Sequence, residues 1–142
     1  MSSRRKFIRN TALTATGISI TGGLRAFSTP YSNPSTFAPI KVALIGCRNM
    51  GFGNLENAIR QPGVECVALC DIDDEVLTRR ADDVGKLTGK KPLMYKDFRR
   101  VMDDRSIGAV IIGTPDHWHC LPFLAACEAG KDIYVEKPLA NS

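Results

Sequence analysis

The sequence predicts an α/β fold with a doubly wound parallel sheet. Short, mostly apolar runs alternate with segments whose apolar residues recur every three to four positions. Such continuous runs are typical of parallel strands, because helices cover both faces of the sheet. Repeated strand–helix alternation with right-handed crossovers then favours a layer of helices on each side of one sheet.

Five runs are predicted to be strands. They are Ile40–Ile45, Val64–Cys70, Leu93–Tyr95, Ala109–Ile112 and 132–136. The first helix is predicted to follow a glycine-containing turn at 46–53 and to end near Arg60, where Gln-Pro-Gly stops it. Leu55, Ala58 and Ile59 are expected to face inward.

The second helix is predicted to be capped by Asp73 or Asp74, because an aspartate side chain accepts hydrogen bonds from the free amides of a first turn. A short third helix opens at Asp97, and a fourth runs from His117 or His119 to about residue 129. The inward residues of the second helix are predicted to be Val76, Arg80 through its aliphatic stem, Ala81, Val84 and Leu87.

Composition narrows the classes of function. The chain has 142 residues, of which 44% are hydrophobic and 24% charged, as in globular proteins. No apolar run is long enough for a permanent membrane span. Residues 1–40 hold five basic and no acidic residues, so 41–142 hold 14 bases and 15 acids. A nearly neutral globular part offers no basic face for nucleic acid, which we therefore do not expect as a partner.

The basic N-terminus resembles an export signal. The segment 3–9, SRRKFIR, is similar to the twin-arginine export signal, and a short apolar stretch follows it. We predict a signal peptide at 1–28, a linker rich in serine and proline at 29–39, and a globular domain at 40–142. This predicts the export machinery as a partner, and a periplasmic location after folding in the cytoplasm. The alternative is a basic tail.

The turn after the first strand has the pattern G-x-R-x-x-G. A dinucleotide-binding turn has G-x-G-x-x-G, so Gly46 and Gly51 match and Arg48 replaces the middle glycine. Asn49 tolerates a positive φ better than most residues, and we expect it to preserve the path of the loop. Phosphates would bind the free amides of the following helix, beside Arg48 and Met50. The alternative is a plain turn without a ligand.

Asp71 directly follows the second strand, 25 residues after Gly46. A carboxylate there accepts hydrogen bonds from the ribose hydroxyls of the adenosine half, which favours NAD over NADP. Arg48 works against that preference, because a guanidinium pairs with a 2′-phosphate. The alternative role for Asp71 is a helix N-cap, for which Asp73 is better placed.

Two motifs follow the last two strands. They are TPDHWH at 114–119 and EKP at 136–138. Together with the first strand and Asp71, they resemble the Gfo/Idh/MocA family of NAD(P)-dependent oxidoreductases over residues 40–142. The resemblance implies a Rossmann domain, here incomplete, and a second C-terminal α/β domain that this chain lacks, so that the chain is expected to be a fragment and inactive alone.

The resemblance also implies roles for individual residues. Lys137 is expected to be catalytic, beside the nicotinamide and the reacting hydroxyl of the substrate, where an ammonium stabilises the developing alkoxide. The alternative is a surface lysine. His117 and Trp118 are expected near the substrate, although Trp118 is equally a core candidate. The residues expected to contact the cofactor are Gly46, Arg48, Asn49, Met50, Gly51, Asp71, Thr114, Pro115, His119 and Glu136.

These roles predict oxidation of a sugar or polyol hydroxyl, in a longer protein that is expected to be a homo-oligomer. The alternatives are an NAD-dependent glycoside hydrolase of the same family and a non-catalytic nucleotide-binding fragment. A methyltransferase also has a glycine turn and an acid after the second strand, but the EKP motif disfavours it.

The cysteines and histidines do not predict a metal site. His117 and His119 have no third ligand placed beside them, and the five cysteines lack metal spacing. Cys66 and Cys70 are expected on one face of their strand, and Cys120 and Cys127 on one helix. We expect all five, including Cys47, to be small core residues without disulfides.

Overall fold

The computed structural model describes residues 38–139. The predicted signal peptide at 1–28 lies outside the described residues, as do positions 29–37 of the predicted linker and 140–142. Within the described range, no helix is long and apolar enough to cross a membrane.

Five strands form one sheet. They are β1 (Ile40–Ile45), β2 (Val64–Cys70), β3 (Leu93–Tyr95), β4 (Ala109–Ile112) and β5 (Asp132–Val135). The first four have the predicted bounds, and β5 ends one residue earlier than predicted. The four α-helices are α1 (Asn49–Ile59), α2 (Asp74–Thr88), α3 (Arg99–Asp103) and α4 (Cys120–Glu128). A 3₁₀ turn (Asp116–Trp118) precedes α4.

The sheet is parallel throughout and has the order β3-β2-β1-β4-β5. One core cluster packs residues of α1 and α2 against one face, and a second packs residues of α3 and α4 against the other. This confirms the predicted doubly wound α/β fold. From β1 the strands are added in one direction to β2 and β3, and the chain then returns to add β4 and β5 on the other side of β1. The strand order therefore reverses between β1 and β4, and ligands of such sheets bind at the carboxyl ends of the strands beside that point.

The second helix follows the prediction except at its end. Asp73 caps α2 by accepting from the backbone N–H groups of Glu75 and Val76, at 3.0 and 3.2 Å. Val84 is fully buried, whereas Leu87 is 54% exposed, so its predicted inward position is wrong. The adjacent strand β3 has only three residues, and little sheet remains to cover the last turn of α2.

A β-bulge separates two cysteines that were expected on one face. Val42 pairs with Cys66, but the next residue of β1, Ala43, pairs with Ala68, so Val67 is an extra residue in β2. The bulge reverses the alternation of side chains. Cys66 therefore packs on the side of α1 and α2, and Cys70 packs on the opposite side.

The two cysteines of α4 were expected in the core, and this is wrong. Cys120 and Cys127 are exposed, whereas the other three are buried, and all five are free thiols. The helix has apolar residues on all of its own faces, so its sequence pattern does not specify which face is covered. Leu121 and Leu124 are half exposed as well. Among the described residues, no cluster of side chains is suited to a metal ion.

Candidate functional site

Three glycines pack against one another at the carboxyl ends of β1 and β4. Gly46 has φ +88°, and a Cβ there would lie 2.6 Å from the carbonyl carbon of Gly113 and from the nitrogen of Thr114. A Cβ on Gly51 would overlap the Gly46 carbonyl oxygen, and one on Gly113 would overlap the Cα of Gly51. The first turn of α1 therefore lies directly against the strand ends.

The helix begins earlier than predicted. Asn49, Met50 and Gly51 form its first turn, whereas the sequence placed a turn up to position 53. Asn49 is helical, so its predicted positive φ is wrong, and Arg48 is extended with φ −82°. Gly46 supplies the left-handed conformation by itself, and the missing Cβ of Gly51 lets the helix start at once.

The N-terminus of α1 is open to a ligand. No side chain of the described residues caps it, and its first turn has no acidic residue. The first amides of a helix lack partners within the helix and form the positive end of its dipole. An anionic group such as a pyrophosphate would supply those partners.

Asp71 connects the glycine turn to the start of α2. Its Oδ2 accepts from the backbone N–H of Cys47 at 2.7 Å, and its Oδ1 accepts from the N–H of Asp73 at 3.0 Å. A carboxylate has about four acceptor positions, so it still has capacity for ribose hydroxyls. The residue is partly exposed at the end of β2.

Arg48 extends over the same end of the sheet. Its Nη2 lies 2.6 Å from Oδ2 of Asp73, with 68% of the arginine side chain exposed. Amide hydrogen bonds from Val76 and Glu75 and the charge of Arg48 lower the pKa of Asp73. The guanidinium is thus paired with an ionised carboxylate two residues from Asp71.

His119 joins the two C-terminal motifs. Its side chain is 1% exposed, with Nε2 2.7 Å from the carbonyl oxygen of Thr114 and Nδ1 2.7 Å from that of Pro138. A carbonyl oxygen only accepts, so a ring nitrogen that carries a proton donates to the carbonyl beside it. Each nitrogen lies at hydrogen-bond distance from one carbonyl oxygen, so in this structure His119 holds the motif at 114–119 against the motif at 136–138.

Thr114 has the one buried side-chain polar atom among the described residues that lacks a hydrogen-bond partner, its Oγ1. A buried hydroxyl without a partner is costly, and a bound ligand is one way to satisfy it. Thr114 follows β4 beside Gly46, at the point where the direction of the sheet reverses.

Glu136 and Lys137 follow β5 at the same edge. The N–H of Glu136 donates to the carbonyl of Ile112 at 3.1 Å, which continues the pairing with β4. Its Oε1 accepts from Nδ2 of Asn54 on α1 at 2.5 Å. Lys137 is exposed and makes no ion pair with a described residue, and the Lys137–Pro138 bond is cis.

The 3₁₀ turn and the proline before it present the remaining predicted residues to solvent. Pro115 and His117 are exposed, and Trp118 is 48% exposed, so Trp118 is not a core residue. The rings of His117 and Trp118 lie 6.5 Å apart at an angle of 54°.

Sequence reasoning did not assign three of these features. Gly113 looked like an ordinary end of β4, and its contact with Gly51 depends on how closely α1 packs. Asn54 was not singled out, since its partner Glu136 lies 82 residues away. The pair of Arg48 with Asp73 was also missed, although both residues follow adjacent parallel strands.

Because the strands are parallel, the N-terminus of α1, the carboxylate of Asp71 and the unpaired hydroxyl of Thr114 all lie at one edge of the sheet. These groups fit the pyrophosphate, ribose and nicotinamide parts of a dinucleotide. The fold and site therefore define a Rossmann dinucleotide-binding domain.

Comparison with known proteins identifies the family. Residues 40–142 match the sequence profile of the Gfo/Idh/MocA oxidoreductase family with its NAD-binding Rossmann fold, and the chain belongs to this family. Its cofactor is accordingly NAD. A crystal structure of myo-inositol dehydrogenase from Lactobacillus casei, in complex with NAD(H) and myo-inositol, is similar with a TM-score of 0.65. It is 30% identical, and the match covers 72% of this chain and 29% of that one.

The curated relatives are named as glycoside hydrolases and not as dehydrogenases. A glycosyl hydrolase family 109 protein of Shewanella baltica is 34% identical over 105 residues, 71% of this chain and 23% of the relative. An α-N-acetylgalactosaminidase of Shewanella oneidensis is 33% identical over the same shares. The chain thus spans about a quarter of the length of these relatives.

Proposed function

We propose that this chain is the NAD-binding part of a longer enzyme that oxidises a hydroxyl of a sugar or cyclitol. The observation that carries the proposal is the meeting of Gly46, Asp71, Thr114 and the 136–138 motif at one edge of the sheet. The similar myo-inositol dehydrogenase, solved with NAD(H) and myo-inositol, supports this class of substrate.

Each element of the site takes one part of the cofactor. The open first turn of α1 binds the pyrophosphate through its backbone amides. Asp71 accepts from the ribose hydroxyls while it holds the amide of Cys47. Ile72, 85% exposed directly after Asp71, offers an apolar surface to the adenine.

The nicotinamide end is formed by the two motifs that His119 joins. Thr114 Oγ1 gains a partner there, and Pro115 lies beside it. Glu136 is held by Asn54 and fixes the start of the segment that carries Lys137. His117 and Trp118 present a polar ring and a stacking ring toward the substrate.

Bound NAD⁺ supplies a hydride acceptor for the carbinol carbon of the substrate. Lys137 donates a hydrogen bond from Nζ to the substrate hydroxyl oxygen and stabilises its negative charge as the hydroxyl proton passes to a base of the longer protein. Lys137 is exposed and makes no ion pair with a described residue, which leaves its ammonium free for this role.

A lysine substitution in the longer protein tests this role. We expect Lys137→Ala to lower turnover of a polyol substrate by about a hundredfold or more, the usual cost of removing one hydrogen-bond donor to a developing oxyanion. The dissociation constant for NAD⁺ should stay within about threefold, because Lys137 lies outside the phosphate and ribose contacts. A loss of less than tenfold would assign Lys137 a positioning role only.

The second candidate is NAD-dependent glycoside hydrolysis, which the names of the curated relatives favour. Oxidation is transient in that reaction, so free sugar is released without net NADH. The longer protein is assayed with myo-inositol and with p-nitrophenyl N-acetyl-α-galactosaminide, and NADH and nitrophenol are followed together. NADH with inositol supports net oxidation, whereas nitrophenol without NADH supports hydrolysis. If neither NADH nor nitrophenol forms, both candidate functions are contradicted.

Export through the twin-arginine route is a further part of the proposal. It rests on the segment 3–9 and on the family, because this route carries folded proteins with their cofactors bound. Residues 1–40 fused to a reporter should reach the periplasm, and replacing Arg4 and Arg5 by lysine should block this. Equal transport of both fusions would contradict it.

We also propose that the longer protein is a homo-oligomer, which light scattering would test.

A further inference from the structure

The contacts at the end of β2 bear on which dinucleotide the domain accepts. Asp71 holds the amide of Cys47 at 2.7 Å, and this places the next residue, Arg48, beside the ribose-binding carboxylate. NADP differs from NAD by a phosphate on that ribose. A guanidinium at this position is the group that would bind such a phosphate.

Arg48 is not free to do so. Its Nη2 is 2.6 Å from Oδ2 of Asp73. Asp73 is itself fixed, because its N–H donates to Asp71 and its Oδ1 caps α2 through the amides of Glu75 and Val76. These amides and Arg48 lower the pKa of Asp73, because each of them favours its charged form.

We propose that Asp73 determines the preference for NAD by holding Arg48 in an ion pair and adding a second carboxylate beside Asp71. The inference depends on the NAD site described above. A 2′-phosphate would have to displace Asp73 from the guanidinium and lie next to two carboxylates. The 2′-hydroxyl of NAD donates to Asp71, so NAD neither displaces Asp73 from the guanidinium nor brings a negative charge next to the two carboxylates.

The test is the binding of NAD⁺ and NADP⁺ to the full chain, measured by isothermal titration calorimetry. Asp73→Ser removes the charge and keeps a good N-cap for α2, and serine is too short to cap the helix and pair with Arg48 together. We expect the affinity for NADP⁺ to rise about tenfold relative to NAD⁺, with binding of NAD⁺ within about threefold of the original. An unchanged ratio, or an equal loss for both nucleotides, would overturn the inference.

Two controls isolate the contact. Asp74→Ser removes the same charge from the adjacent residue, which pairs with Lys96 at 2.7 Å, and should leave the preference unchanged. The double variant Arg48→Ala with Asp73→Ser should lose the gain, because the guanidinium that binds the phosphate is gone. A gain of similar size in either control would show a general effect of charge and contradict the proposed pair.

Arg48→Ala alone provides a measurement that does not depend on the cap of α2. The guanidinium is already neutralised, so we expect the ratio of the two affinities to change by less than about threefold. A tenfold loss of NADP⁺ binding would show that Arg48 already serves the phosphate, and would overturn the inference. Failure of the unaltered chain to bind NAD⁺ would instead contradict the nucleotide site itself.

Discussion

The contacts of Gly51 with the strand ends allow a direct test of how closely α1 packs at the site. An alanine Cβ there would overlap the Gly46 carbonyl oxygen and would lie 3.2 Å from Gly113 Cα and 3.3 Å from Leu44 Cδ1. Two of these atoms belong to the backbone and cannot rotate away. Overpacking of this kind costs about 1–3 kcal/mol, and alanine returns about 0.5–1 kcal/mol of helix propensity. Because the overlap is with backbone atoms, the overpacking cost falls at the upper end of that range, and we expect Gly51→Ala to lower the free energy of unfolding by about 2 kcal/mol.

Gly53 is the matched control, because it lies on the same helix and a Cβ there has no atom within 4 Å. We expect Gly53→Ala to raise the free energy of unfolding by about 0.5–1 kcal/mol. Urea unfolding followed by circular dichroism measures both variants. Calorimetry should show the dissociation constant for NAD⁺ rising about tenfold for Gly51→Ala only, because α1 is displaced from the strand ends. Equal urea midpoints and equal NAD⁺ affinities would refute the close-packing argument.

Three further predictions concern single contacts. Asp71→Ala should weaken NAD⁺ binding about tenfold and reduce the discrimination against NADP⁺; unchanged titrations with both nucleotides would exclude Asp71 from the site. His119→Ala should lower the free energy of unfolding by about 2 kcal/mol, since it removes a buried ring and leaves a buried carbonyl without its hydrogen-bond donor. The exposed His117→Ala should change it by less than about 0.5 kcal/mol; equal urea midpoints would contradict this. Iodoacetamide should modify two cysteines of the folded chain and all five in urea, as counted by mass spectrometry, because burial raises the pKa of Cys66 and Cys70 to about 12; modification of a third site in the folded chain would contradict it. The two exposed thiols are Cys120 and Cys127, and the three buried ones are Cys47, Cys66 and Cys70.

The order and type of the elements could be predicted from the sequence alone. The bounds of β1, β2, β3 and β4 agree with the apolar runs, and Asp73 caps α2 as predicted. These features depend on neighbouring residues: apolar runs bounded by glycine, proline and aspartate favour one local conformation over its competitors. The family resemblance followed from the same information, since its motifs lie at the ends of predicted strands.

The tertiary structure decided what depends on contacts between distant residues. The bulge at Val67 placed Cys66 and Cys70 on opposite faces, and the short edge strand β3 left Leu87 exposed. The ring of His119 could be assigned to the carbonyls of Thr114 and Pro138 only once β4 and β5 were adjacent. Local preference determines which segments become strands and helices, whereas the site arises from packing that joins residues up to 82 positions apart.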